Sequence, residues 1–144
     1  MSLPSAFWDS SALVPLCVRQ PQTAQAIVLY KVCGVTVWWA TPVEIVSGLT
    51  RLERMGELSR DEFLAGKDAA QQLANFWETL SPTASIAIQA CALLETYPLR
   101  AADALQLAAA LENWDDVPDG HLFVTADRRL AAAARQRGFI VELI

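Results

Sequence analysis

The chain has 144 residues, 53% of them hydrophobic, with 16 acidic and 11 basic side chains and a formal net charge of -5. That length and apolar content suit a single domain over residues 1–144 with a core of its own. The charge argues against a broad basic surface for nucleic acid, and no apolar run approaches a membrane span.

Ala6-Phe7-Trp8-Asp9-Ser10-Ser11 reads as a short buried strand that ends in an acid and turns into a helix, with Ser10 or Ser11 as its cap. That helix runs through Val18, and Pro21 separates it from a second over residues 23–33, which Gly34 stops. Val35 to Trp39 is β-branched and aromatic, as an inner parallel strand should be. Thr41 as N-cap, Pro42 at the first position and Glu44 three residues after the threonine open the next helix, whose apolar stripe is Val46, Leu49, Leu52 and Met55. Ser59-Arg60-Asp61-Glu62 repeats the capping pattern and starts a helix running to about Asn75.

Residues 76–80 suit a short strand, and Ser81-Pro82 starts a helix that Pro98 ends. Arg100 to Leu111 is a helix apolar on nearly every face, with Asp103 in its first turns. Residues 113–120 form a polar loop, His121 to Thr125 a strand, and Asp127 opens an alanine-rich helix closed by Gly138. Residues 139–144 supply a last strand. Four or five strands alternating with helices imply an α/β three-layer sandwich around a central parallel sheet. Cys17, Cys33 and Cys91, with no C-x-x-C pair, read as small core residues in a reducing compartment, and the expected location is cytoplasmic.

Four acids stand at strand-to-helix junctions or helix starts: Asp9, Glu44, Asp103 and Asp127. Each has a bland explanation, because an acid there can cap a helix or complement its dipole. Glu62 is the internal control, since it has the motif of Glu44 with no strand leading into it. Asp103 is harder to explain away, for its helix offers only Arg100 and Gln106 as polar neighbours and a buried carboxylate is costly when unpaired. Parallel strands would carry these acids to one sheet edge, where they would repel and raise each other's pKa unless a cation lay between them. Oxygen ligands without cysteine or a histidine pair select Mg²⁺ or Mn²⁺, and such ions act on phosphate. The implied chemistry is metal-assisted hydrolysis of a phosphodiester.

The segments Asp9-Ser10-Ser11-Ala12-Leu13, Thr41-Pro42-Val43-Glu44, Leu99-Arg100-Ala101-Ala102-Asp103-Ala104-Leu105-Gln106-Leu107-Ala108 and Phe123-Val124-Thr125-Ala126-Asp127-Arg128-Arg129-Leu130 together resemble the four acidic motifs of PIN-domain ribonucleases. The resemblance is strongest to the toxins of VapBC-type toxin-antitoxin pairs and covers essentially the whole chain. It implies that Asp9, Glu44 and Asp103 form a metal-binding core with Asp127 as the fourth acid, supported by the hydroxyls of Ser10 and Thr125. It also implies an RNA substrate, Mg²⁺ or Mn²⁺, a homodimer and a cognate antitoxin that can occlude the acids.

Arg100, Arg128 and Arg129 lie near these acids and can hold RNA phosphates, or can simply pair with the carboxylates. Trp38 and Trp39 end a strand where one could stack on a base, although their neighbours favour core packing. His121 reads as a surface residue. A haloacid-dehalogenase pattern would need an acid where Ser11 stands, and a receiver domain would need a late lysine, whereas none follows Lys67. The remaining alternative is a PIN-like binding or assembly module without turnover.

Overall fold

Strand and helix alternate along most of the chain. A computed structural model describes residues 3–144. Its elements are β1 (Ser5–Trp8), α1 (Ser10–Cys17), α2 (Thr23–Val32), β2 (Gly34–Trp38), α3 (Thr41–Arg54), α4 (Arg60–Ala74), β3 (Glu78–Leu80), α5 (Ala84–Thr96), α6 (Ala101–Asn113), β4 (Leu122–Thr125), α7 (Arg128–Arg137) and β5 (Ile140–Leu143). All five strands are parallel and form one sheet in the order β3-β2-β1-β4-β5. The three-layer α/β arrangement expected from the sequence is therefore present, with five strands.

Side-chain alternation along each strand builds two cores. Ala6 and Trp8 of β1, Val35 and Val37 of β2 and Val124 of β4 pack beneath α1, α3 and α4 with Leu13, Ile45, Leu49 and Phe63. Phe7, Trp38 and Phe123 point the other way, onto Leu93 of α5, Leu107 and Leu111 of α6 and Leu130 of α7. Phe7 and Phe123 are register partners on neighbouring strands, and their rings stack at 5.3 Å.

Several local expectations change on contact with the fold. Neither Ser10 nor Ser11 caps α1; Asp9 occupies the N-cap position, and no side chain caps the helix. Thr41 lies inside α3, whose N-cap is Ala40, and its buried hydroxyl has no partner. The capping box of Ser59 and Glu62 does form. Thr83, rather than Ser81, caps α5 by accepting the Ile86 N–H at 3.1 Å. On α3 the core takes Ile45 and Leu49 with Leu52 packed against it, leaving Val46 and Met55 exposed, because the inward face steps by four residues from Ile45 to Leu49 rather than by three from Val46. Cys91 is exposed on α5, whereas Cys33 is buried. Trp38 is buried and Trp39 exposed, since β2 ends between them. His121 is partly covered and stacks on Trp114 at 4.4 Å. No helix among the described residues is long and apolar enough to cross a membrane.

Candidate active site

From β1 the sheet grows towards β2 in one direction and towards β4 in the other. Where strand order reverses in this way, the flanking loops separate at the carboxyl edge and leave a crevice. Asp9 sits at that point, directly after β1. Its backbone N–H donates to the Val124 carbonyl at 2.9 Å, which extends the β1–β4 ladder by one step and sets Asp9 beside Thr125.

The Asp9 side chain is only 2% exposed. Its Oδ2 accepts from the Thr125 hydroxyl at 2.8 Å and from the Ser11 hydroxyl, while Ser10 is more distant from Oδ1 at 3.4 Å. Ser11 therefore provides the closer support. Its Oγ also accepts the Ala126 N–H at 2.9 Å, and Thr125 Oγ1 accepts the Asp127 N–H at 3.0 Å. These hydroxyls join the β1–α1 turn to the β4–α7 turn under the carboxylate. Burial holds the Asp9 carboxyl above the usual carboxylate range; Ser11 and Thr125 pull it down, and the charge of Asp127 pushes it further up.

Glu44 is freed from capping by the failure of Thr41 to cap, and it is held from the far side of the sheet. Gln106 of α6 donates from Nε2 to Glu44 Oε2 at 2.9 Å. Burial pushes Glu44 up to about 7, Asp9 adds repulsion, Trp38 and Gln106 favour the charged form, and Asp103 repels it again. The buried Trp38 indole N–H acts on Glu44 without a hydrogen bond of standard geometry.

Asp103 is half-buried in the first turn of α6 and is pushed up to about 6 by burial, then by Asp127 and Asp9, against the backbone N–H and charge of Arg100. Asp127 does cap, accepting the Leu130 N–H on Oδ1 at 2.9 Å. Capping does not remove it from the crevice. All four acids line one open cleft of about 720 Å³, together with Arg51, Arg100, Arg128 and Arg129.

No group of three or more His, Cys, Asp or Glu side chains forms a closed ligand cluster among the described residues. The acids are instead arrayed along the cleft wall. Three of them are nonetheless held above the ordinary carboxylate pKa range by burial and mutual repulsion, and an all-oxygen donor set of this kind fits a hard divalent cation that would relieve both.

Residues 6–136 match the family described as PIN domain. The chain belongs to the PIN domain family. It is 30% identical over 141 residues to Ribonuclease VapC45 of Mycobacterium tuberculosis, an alignment covering 94% of this chain and 93% of the relative. Its fold is shared with FitAcB from Neisseria gonorrhoeae, with a TM-score of 0.67 and 16% identity over 94% of this chain and 95% of that one. A toxin-antitoxin complex from Klebsiella pneumoniae contains a similar fold, with a TM-score of 0.62 and 18% identity over 88% and 91% of the two chains.

In this PIN domain the acids expected from the sequence share one cleft, and Thr125 lies fully buried beneath them. Trp39 and His121 do not line the cleft. Two residues of the site carry sequence signals that are easily passed over. Arg51 follows Glu44 by two helical turns and so shares its face of α3. Gln106 is a fully buried polar residue in a run of buried alanine and leucine, one turn beyond Asp103. The ion pairs that would have explained the arginines do not form: the one salt bridge among the described residues joins Arg60 to Glu53 at 3.1 Å.

Proposed function

We propose that this PIN domain is a metal-dependent endoribonuclease and the toxin of a toxin-antitoxin pair. The observation that carries the reading is the convergence of Asp9, Glu44, Asp103 and Asp127, from four separate segments, on one cleft that also holds four arginines. Asp9, Glu44 and Asp103 would hold Mg²⁺ or Mn²⁺, with Asp127 as the fourth acid. When bound, such an ion supplies a more acidic water and neutralises charge developing on a phosphodiester.

The chain's own residues do the rest. Ser11 and Thr125 donate to Asp9, favouring the charged form of its buried carboxylate and orienting it. Arg100, Arg128, Arg129 and Arg51 offer guanidinium groups to the phosphates on either side of the scissile bond, offsetting a net charge that would otherwise repel RNA. The name of the relative VapC45 and the toxin-antitoxin complex among the structures of like fold support an RNA substrate and an antitoxin partner. A homodimer and a cytoplasmic location belong to the same reading.

The test is cleavage of single-stranded and structured RNAs by the purified protein with Mg²⁺ or Mn²⁺, alongside EDTA and Asp103→Asn. Metal-dependent cutting that Asp103→Asn abolishes while the fold persists is expected. Intact binding of RNA without any cutting would move the reading to a binding module.

A further inference from the structure

We propose that Gln106 is the positioning residue of this site: its side-chain amide fixes the Glu44 carboxylate at the cleft by reaching across the open edge of the sheet. The inference rests on the reading of Glu44 as a metal ligand and adds to it the device that holds this acid in place.

Glu44 and Gln106 belong to opposite layers. The inward residues of α3, Ile45 and Leu49, pack in the core on one face of the sheet. Those of α6, Leu107 and Leu111 among them, pack in the core on the other. The 2.9 Å hydrogen bond from Gln106 Nε2 to Glu44 Oε2 therefore joins the two helical layers around the carboxyl edge. Asp103 precedes Gln106 by three residues on α6, so one helical face presents both an acid and the donor that restrains a second acid.

Gln106 has no exposed surface, and its Oε1 is buried without a partner. An unsatisfied carbonyl oxygen in such a place carries a cost that a methionine or leucine would avoid. Packing alone gives no reason for a glutamine here. The only hydrogen bond its side chain makes among the described residues is the one to Glu44, so the amide serves the carboxylate. Whenever Glu44 is ionised the amide must present its NH2 group, because turning it over would set oxygen against oxygen.

The test compares Gln106→Met, close in shape but without the donor, with the wild-type chain, Glu44→Gln and Gln106→His, which restores a ring N–H. Mn²⁺ affinity is read from the loss of the free-ion electron paramagnetic resonance signal, stability from thermal melting without metal, and cleavage as separate kcat and KM for RNA. Gln106→Met is expected to weaken Mn²⁺ binding about tenfold to a hundredfold, as loss of groups that orient ligands does. It should lower kcat with KM for RNA unchanged and leave the metal-free melting temperature equal or higher, while Gln106→His recovers much of the affinity.

Undiminished Mn²⁺ affinity in Gln106→Met, alongside weakened binding in Glu44→Gln, would overturn the positioning role alone. Undiminished affinity in both would overturn the assignment of Glu44 itself, and the positioning role with it. A fall in melting temperature with metal affinity intact would mark Gln106 as structural and overturn the proposal. Gln106→Asn withdraws the amide by one methylene and gives the same readings if the methionine protein does not fold.

Discussion

Thr41-Pro42-Val43-Glu44 and Ser59-Arg60-Asp61-Glu62 present the same capping pattern at the start of successive helices, and the fold uses them in opposite ways. At the second, Ser59 Oγ accepts the Glu62 N–H at 3.1 Å and Glu62 accepts the Ser59 N–H at 3.0 Å. The pair is exposed, and the Glu62 carboxyl sits below its ordinary range because the Ser59 backbone N–H holds its charge. At the first, the threonine is buried inside the helix and its hydroxyl has no partner among the described residues, and Glu44 is pushed up to about 7. A buried strand leads into Thr41, and that strand delivers the motif to the sheet edge. The same pattern is thus a helix cap on the surface and places an acid in the cleft where a strand ends.

The largest expected difference between the two lies in turnover. Glu44→Gln should lower metal-dependent RNA cleavage by about 10²–10³ or more, the scale of losing one electrostatic group at a reacting centre. Glu62→Gln should leave cleavage unchanged. Equal losses in both, measured at saturating Mn²⁺, would erase the distinction. Thr125→Val comes next. It removes the 2.8 Å donor to Asp9 and should cost about tenfold to a hundredfold in cleavage, with weaker Mn²⁺ binding, while the protein remains folded.

The two glutamates should also give opposite pH dependence of stability. Glu44 stands at about 7 against an ordinary 4.5, and Asp103 at about 6 against 3.8. A carboxyl whose pKa is higher in the folded state binds its proton more tightly there, so its contribution is present below the unfolded value and lost as pH rises through the folded one. Metal-free protein should therefore lose thermal stability between about pH 4 and pH 7, and Mn²⁺ should restore it most at the upper end. Glu62 has a lowered pKa, so its contribution is present above its ordinary value and is lost on acidification. Melting curves across this range in EDTA, for wild type and Glu44→Gln, check the sign. A slope that the substitution does not reduce would contradict the burial of Glu44.

The smallest effect concerns the caps themselves. Ser59→Ala should cost about 1 kcal/mol of stability, the usual worth of an N-cap. Thr41→Val should cost less than about 0.5 kcal/mol or stabilise, because a buried hydroxyl without a partner is exchanged for a methyl group. Urea unfolding of the two proteins measures both, and a cost at Thr41 as large as at Ser59 would show that a cap forms there in solution.

Element order and the grouping of acids were legible because β1 and β4 are short apolar runs that end in an acid or a hydroxyl, Phe7-Trp8-Asp9 and Val124-Thr125. The rest depends on tertiary neighbours. Whether Ser10 or Ser11 supports Asp9 turns on which hydroxyl meets the β4–α7 turn, and Ser11 does so through Ala126 and Thr125. Trp38 and Trp39 have identical side chains, and only the end of β2 separates the buried one from the exposed one. The partner of Gln106 lies 62 residues away on the opposite layer, a contact that no local pattern encodes.

The most direct measurement is the initial rate of RNA cleavage as Mn²⁺ is titrated into metal-free wild type and metal-free Asp9→Asn. Saturable cutting by the wild type, none by a folded Asp9→Asn and none by either in EDTA is the expected result. Cleavage that survives in Asp9→Asn, or proceeds equally without metal, would contradict a nuclease centred on these four acids.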